Sequence, residues 1–208
     1  HVMNHEVRLW GNHGEWRWLV GASLLNAATE IAGKLAGPND ADQVIGALDE
    51  LVHEVALYGE AGVPLAPRLR MDLGVRLFQS SVKDDLAITQ PDKLYRDNHF
   101  GVSPSLSLAF TPDDYSYFYI RAASAFRPRG LSAFAPVPDE GLESDELNSL
   151  SAGARWHHPD EIWALQIETY ASQWLDMQAD YLLPNGLVAT HNSGNALIYG
   201  VEVSGHWA

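Results

Sequence analysis

The chain has 208 residues, enough for one domain with a sizeable core or for a part of a larger one. Its 27 acidic side chains against 13 basic ones give a formal charge of -14, a field that repels phosphate and argues against nucleic acid or anionic headgroups as partners. The absence of cysteine excludes a disulfide framework and a thiolate metal site, and the lack of any run of about 18 apolar residues excludes a membrane-crossing helix.

In chain order, the first predicted strand (5–10) runs into "GNHGE" (11–15), a tight turn of Gly and Asn. The second (16–26) sets Trp16, Trp18, Val20, Ala22 and Leu24 in one row. A long polar stretch, 27–51, follows; within it Val44, Leu48 and Leu51 are spaced for a helical turn or two over 41–51. Strands are predicted next at 52–65 and 68–80, joined at Ala66-Pro67. In the first, Val55, Leu57, Ala61, Val63 and Leu65 oppose Glu54, Tyr58, Glu60 and Pro64. In the second, Leu69, Met71, Leu73, Val75 and Leu77 oppose Arg70, Asp72, Gly74, Arg76 and Phe78. After 81–103 come 104–111, a Pro-Asp-Asp turn and 115–127; after 128–147 come 148–157, a His-Pro-Asp turn and 161–174. The last strand, 196–207, follows 175–195. It alternates Leu197, Tyr199, Val201, Val203 and Trp207 with Ile198, Gly200, Glu202, Ser204 and His206.

A side-chain period of two means strands with different surroundings on their two faces. A soluble sandwich or lipocalin-like binder would turn its apolar rows inward, and a membrane barrel would turn them out to lipid. Three observations favour the barrel. Short and long connections alternate strictly, as periplasmic turns and extracellular loops do. The polar rows carry Glu54, Glu60, Arg70, Asp72, Arg76, Arg121, Gln166 and Glu168, a set suited to a wet lumen. Aromatic residues gather at predicted strand ends (Trp10, Trp16, Phe110, Tyr115, Tyr117, Trp156, Trp163, Trp174, Trp207), as interfacial girdles require. The expected fold class is therefore all-β, an antiparallel transmembrane β-barrel of about nine strands. Single-chain bacterial barrels have even counts, so nine points to a partial barrel. A complete small barrel with a structural or adhesive role, and the soluble sandwich, stay open.

Four stretches then resemble the β-barrel of TonB-dependent outer-membrane receptors. "YFYIRAASAFRPRG" (117–130) is similar to the family's strand ending in an aromatic-Arg-Pro-Gly corner, here Phe126, Arg127, Pro128 and Gly130; Arg129 departs from the Gly or Pro common there. "SDELNSLSAGARW" (144–156) resembles the segment in which an acidic residue precedes the next strand. "NSGNALIYGVEV" resembles an Asn-x-Gly-x-Ala-x-x-x-Gly-Val-Glu signature on Asn192, Gly194, Ala196, Gly200, Val201 and Glu202. "ALYGEAGVPLAPRLRMDLGVRLF" (56–78) is similar to the family's hairpin with a tight periplasmic turn. The resemblance implies a barrel of about 22 strands closed by a plug. It also implies a bacterial outer-membrane location with lipid as a partner, a TonB-type energy-coupling protein acting through the plug, and a scarce nutrient such as a ferric siderophore as ligand. Residues 1–208 are expected to form part of one barrel domain without its plug, and Glu202 to face the lumen.

No nucleophile-elbow pattern or phosphate-binding loop is present, so no enzyme, cofactor or metal site is expected. His157, His158, Asp160 and Glu161 read as a solvated turn. Arg76, Arg121 and Arg127 could hold an anionic ligand by charge-assisted hydrogen bonds, or could balance Glu54, Glu60 and Glu202 across neighbouring strands. Tyr95 and Phe134, with Phe100 and Tyr181, are the aromatic residues expected to meet a ligand from the long loops or to pack those loops together.

Overall fold

The computed structural model describes the chain apart from residues 36–42, 86–93, 128–141, 185 and 187, and apart from the side chains of 35, 43–46, 84, 94 and 95. Period-two alternation is realised as a single antiparallel sheet. Its strands are β1 (Val2–His13), β2 (Trp16–Leu35), β3 (Gln43–Ala66), β4 (Leu69–Asp85), β5 (Leu94–Asp113), β6 (Ser116–Arg127), β7 (Asp145–His157), β8 (Trp163–Leu175) and β11 (Ala196–Trp207). Each pairs with the next in that order, so β1 and β11 are open edges. A separate hairpin, β9 (Gln178–Leu182) with β10 (Val188–Asn192), lies along the chain between β8 and β11. Among the described residues there is no helix.

The nine strands of the sheet match those expected from the alternation, and their short turns lie at one end of the sheet with the long connections at the other. Gly14 takes the positive φ (61°) that a two-residue hairpin needs between the paired His13 and Trp16. Three expectations are corrected. Segment 41–51 is not helical from Gln43 on but opens β3, because Leu48 and Leu51 pair with Ile31 and Ala28 of an equally long β2. Segments 27–51 and 81–103 are largely strand, projecting beyond the clean apolar rows. The polar stretch 175–195 carries a hairpin of its own.

Register places side chains on two faces. The apolar face carries Val7 and Leu9; Val20 and Leu24; Val55 and Leu57; Leu73 and Val75; Leu106 and Leu108; Ile120; Leu150; Leu165 and Ile167; Val201 and Val203. These rows are not core: Leu57, Val201 and Val203 are 61%, 67% and 64% exposed, and no second sheet covers them among the described residues. A soluble sandwich would bury this face, so that reading falls. At the short-turn end the rows finish in Trp16, Phe110, Phe118, Trp156, Trp163 and Trp207, and the Phe118 and Trp156 rings meet edge-on with centroids 5.6 Å apart. Toward the other end they finish in polar positions: Asn26 bonded to His53 at 2.5 Å, and Ser124, Asn148 and Gln173 in register. An apolar band closed below by aromatics and above by polar groups is the outline of a bilayer-facing wall. Trp10, Tyr117 and Trp174 do not belong to that girdle: they lie on the polar face, level with Glu60, Arg155 and Leu147.

Candidate functional site

The polar face is concave and encloses a cleft of about 1020 Å³ toward the short-turn end, lined in part by Arg17, Asp72, Ser107, Arg121, Ser151 and Arg155. Alternation brings these groups together, since every second residue of six neighbouring strands points the same way. Over β1–β4 the charges neutralise one another. Arg76 donates to Glu54 at 2.7 Å and to Ser23 at 3.3 Å, with its guanidinium 5.9 Å from the Tyr58 ring centroid. Asp72 accepts from Arg17 at 3.4 Å, Arg70 at 3.3 Å and Ser107 at 3.5 Å. Glu6 accepts from Arg8 and from the Tyr58 hydroxyl, and Arg8 Nε also donates to that hydroxyl at 3.1 Å.

Over β6–β8 and β11 the arrangement differs. Arg121 stands between Ser107 and Ser151 and makes no ion pair or hydrogen bond among the described residues. Arg155 packs its guanidinium 6.0 Å from the Tyr117 ring centroid. Glu168 and Glu202 stand directly opposite one another, a like-charge pair that stabilises nothing by itself. Glu202 thus lies on the polar face, as expected from the sequence.

The structure does not gather the three candidate arginines into one site. Arg121 is level with Asp72, four residues along β4 from Arg76, a separation of about 13 Å at strand rise. Arg127 lies farther up, at the last position of β6. There it forms a two-pronged pair with the buried Asp145, Nε reaching both carboxylate oxygens at 3.1 Å, and its Nη2 donates to the Gln178 carbonyl at 3.3 Å. The Trp174 indole N–H donates to the same carboxylate at 3.0 Å. Tyr95 is placed in β5, but its side chain is outside the described residues, as are Phe134, Pro128 and Gly130. Phe100 is on the apolar face of β5 and not in a loop, and Tyr181 is in β9 with its ring edge-on to His191.

The remaining signature residues have local reasons. Phe126 stacks on His99 at 4.1 Å and meets Phe78 at 5.4 Å, closing the place where β5 and β6 cease to pair beyond Ser105 and Ala123. Asn192 clasps the backbone of Glu143, accepting from its N–H at 2.7 Å and donating to its carbonyl at 3.0 Å. Gly194 has φ 97° and its carbonyl accepts from the Met177 N–H at 2.8 Å, closing the base of the β9–β10 hairpin. Ala196 pairs with Trp174, and Val201 is on the exposed apolar face. Gly200 lies beneath Tyr170: a methyl there would sit 2.7 Å from the tyrosine oxygen. Sequence reasoning missed the hairpin and the role of Trp174. A five-residue strand is too short for its alternation to stand out, and nothing local distinguishes an indole aimed at a carboxylate from one aimed at lipid.

The sequence matches, over residues 4–208, the family described as TonB dependent receptor-like, beta-barrel. The chain belongs to that family. Solved structures agree in fold. The ferric yersiniabactin uptake receptor FyuA from Yersinia pestis superposes with a TM-score of 0.76 at 19% identity, over 98% of this chain and 32% of that one. The copper transporter OprC gives 0.78 at 14%, over 99% and 34%. BauA, the ferric preacinetobactin receptor from Acinetobacter baumannii, gives 0.69 at 13%, over 100% and 34%. The chain therefore spans about a third of the length of these structures. No curated protein sequence matches it. TonB-dependent receptor barrels are bacterial outer-membrane proteins and form a transporter class rather than an enzyme class. Membership explains the open edges: the sheet is an arc of a larger barrel, its apolar face turned to lipid and its polar face to the lumen. A complete small barrel would have no such edges.

Proposed function

We propose that residues 1–208 are part of the wall and mouth of one barrel domain in a receptor that takes up a ferric siderophore or a similar metal chelate. Uptake is energy-coupled through a TonB-type protein acting on a plug carried elsewhere in the parent chain. The observation that carries this reading is the membrane-type arc itself, with a charge-lined concave face built for a filled, wet lumen. The ferric-chelate uptake named for FyuA and BauA supports the ligand class, and the copper transport named for OprC gives the competing one. Of the three candidate arginines, Arg76 and Arg127 pair with Glu54 and Asp145, which favours Arg121 as the one that meets a carboxylate or carbonyl entering the lumen. The test is deletion of the parent gene followed by uptake of iron-loaded siderophores and of copper under limitation of each metal. Loss of iron-chelate uptake that returns with the gene supports the reading. Loss of copper uptake alone would replace the ligand class, and no loss of either would overturn transport.

A further inference from the structure

The rim carries a joint that the uptake reading does not use. Asp145, 3% exposed, opens β7 and gathers donors from three separate parts of the chain. These are the Arg127 guanidinium from β6, the Trp174 indole from β8, and the Gln178 backbone N–H at 3.4 Å from the first residue of β9. Two residues before it, the Glu143 backbone is held from the hairpin on both sides. Asn192 of β10 takes its N–H and its carbonyl, and Gln178 Nε2 donates to the same carbonyl at 2.9 Å. Leu142 and Ala189 are both buried, at 8% and 1% exposed. The hairpin base is closed independently, by Ser193 N–H to the Met177 carbonyl at 2.7 Å and Asp176 N–H to Asn195 at 3.0 Å.

A hairpin of two five-residue strands is marginal when isolated in water. Its four bonds to Glu143 and Asp145 are as many as those that close its base, and they all lead to one short segment. We propose that Asp145 is a positioning residue that locks the β9–β10 hairpin to segment 142–145, so that this segment and the hairpin move as one unit at the receptor mouth. A displacement imposed on either of the two is then felt by the other. Arg127, Asp145 and Asn192, far apart in sequence, are the parts of one clasp.

The test is amide hydrogen exchange on the intact parent receptor in detergent, comparing the natural chain with Asp145→Asn and, separately, Asn192→Ala. The amides of β9 and β10 should exchange at least about tenfold faster in both variants, together with those of residues 142–144, while those of β3 and β4 stay unchanged. Asn192→Ala leaves the buried carboxylate in place, so it reports on the clasp even where Asp145→Asn folds poorly. Unchanged exchange in the hairpin would overturn the proposal, as would loosening of the hairpin without 142–144. Uniform loosening of β3 and β4 in Asn192→Ala would overturn it too, since the clasp would then serve the whole barrel and not the mouth.

Discussion

Glu50 shows how a single side chain records its position above the membrane band. It stands on β3 between Thr29 and Asp84 in register, half-buried, and burial pushes its carboxyl above the usual carboxylate range. A folded pKa above the unfolded one means that the native state binds the proton more tightly. The resulting destabilisation is absent below the unfolded pKa and complete above the folded one. Glu50→Gln should therefore slow exchange of the neighbouring β2 and β3 amides at pH 7.5, by under about 1 kcal/mol after solvent screening. At a pH below both values it should do nothing. Asp113 behaves in the opposite sense: the Tyr115 N–H, 2.9 Å away, holds its carboxyl below the usual range, so its contribution to the β5–β6 turn is present at neutral pH and lost on acidification. Within the lumen, a double-mutant cycle on Arg76→Met and Glu54→Gln should give a coupling of about 0.5–1 kcal/mol, modest because the pair is only part-buried. Gly200→Ala should cost about 1–2 kcal/mol in urea unfolding by displacing the Tyr170 ring, and that cost should vanish when Tyr170 is first replaced by Ser.

At the scale of the strand, the apolar rows decide what is tolerated. Leu57→Arg, in mid-row, should destabilise the folded receptor in vesicles by about 2–4 kcal/mol, whereas Gln173→Arg, at the polar upper limit of its row, should cost at most about 1 kcal/mol. Equal costs at the two positions would mean that the row is not a lipid face. The same physics explains what was legible in the sequence. Between the aromatic and polar limits, lipid on one side and water on the other force strict alternation, and the strands there were readable from Leu69–Leu77 or Leu197–Val203 alone. Above the band both faces meet water or packed side chains. On β3, Asp49 and Glu50 therefore sit beside Leu48 and Leu51 with no visible period, and the strand looked like a loop with a helical turn. Aromatic residues were ambiguous for a related reason: Trp163 and Trp174 both end β8, yet one lies on the lipid face and the other bonds Asp145. The charge ladder was legible as a set of residue types. Its division into a neutralised part around Arg76 and an open part around Arg121 depends on which strands are neighbours, and no local pattern carries that.

At the scale of the molecule, the sheet is held by backbone pairing and by the solvent on its two faces more than by a core. Among the described residues the buried apolar ones are few and scattered; Phe78, Val82, Leu48 and Ala56 sit on the concave side, Ala56 and Phe78 between the levels of Arg76 and Glu54. Such a structure is stable only when every strand has two partners, because an unpaired N–H or carbonyl in hydrocarbon costs several kcal/mol. β1 pairs only with β2 and β11 only with β8, so residues 2–13 and 196–207 each present one open edge across the apolar band. The 208 residues expressed alone and refolded with vesicles should therefore give no protease-resistant species whose gel mobility changes on heating. The intact parent chain should give one. If the 208 residues alone did form a resistant, heat-modifiable species, the open edges would have found partners. Crosslinking would then distinguish β1 pairing with β11 of the same chain from pairing between copies, and either result would end the view of this segment as a dependent arc of a larger barrel.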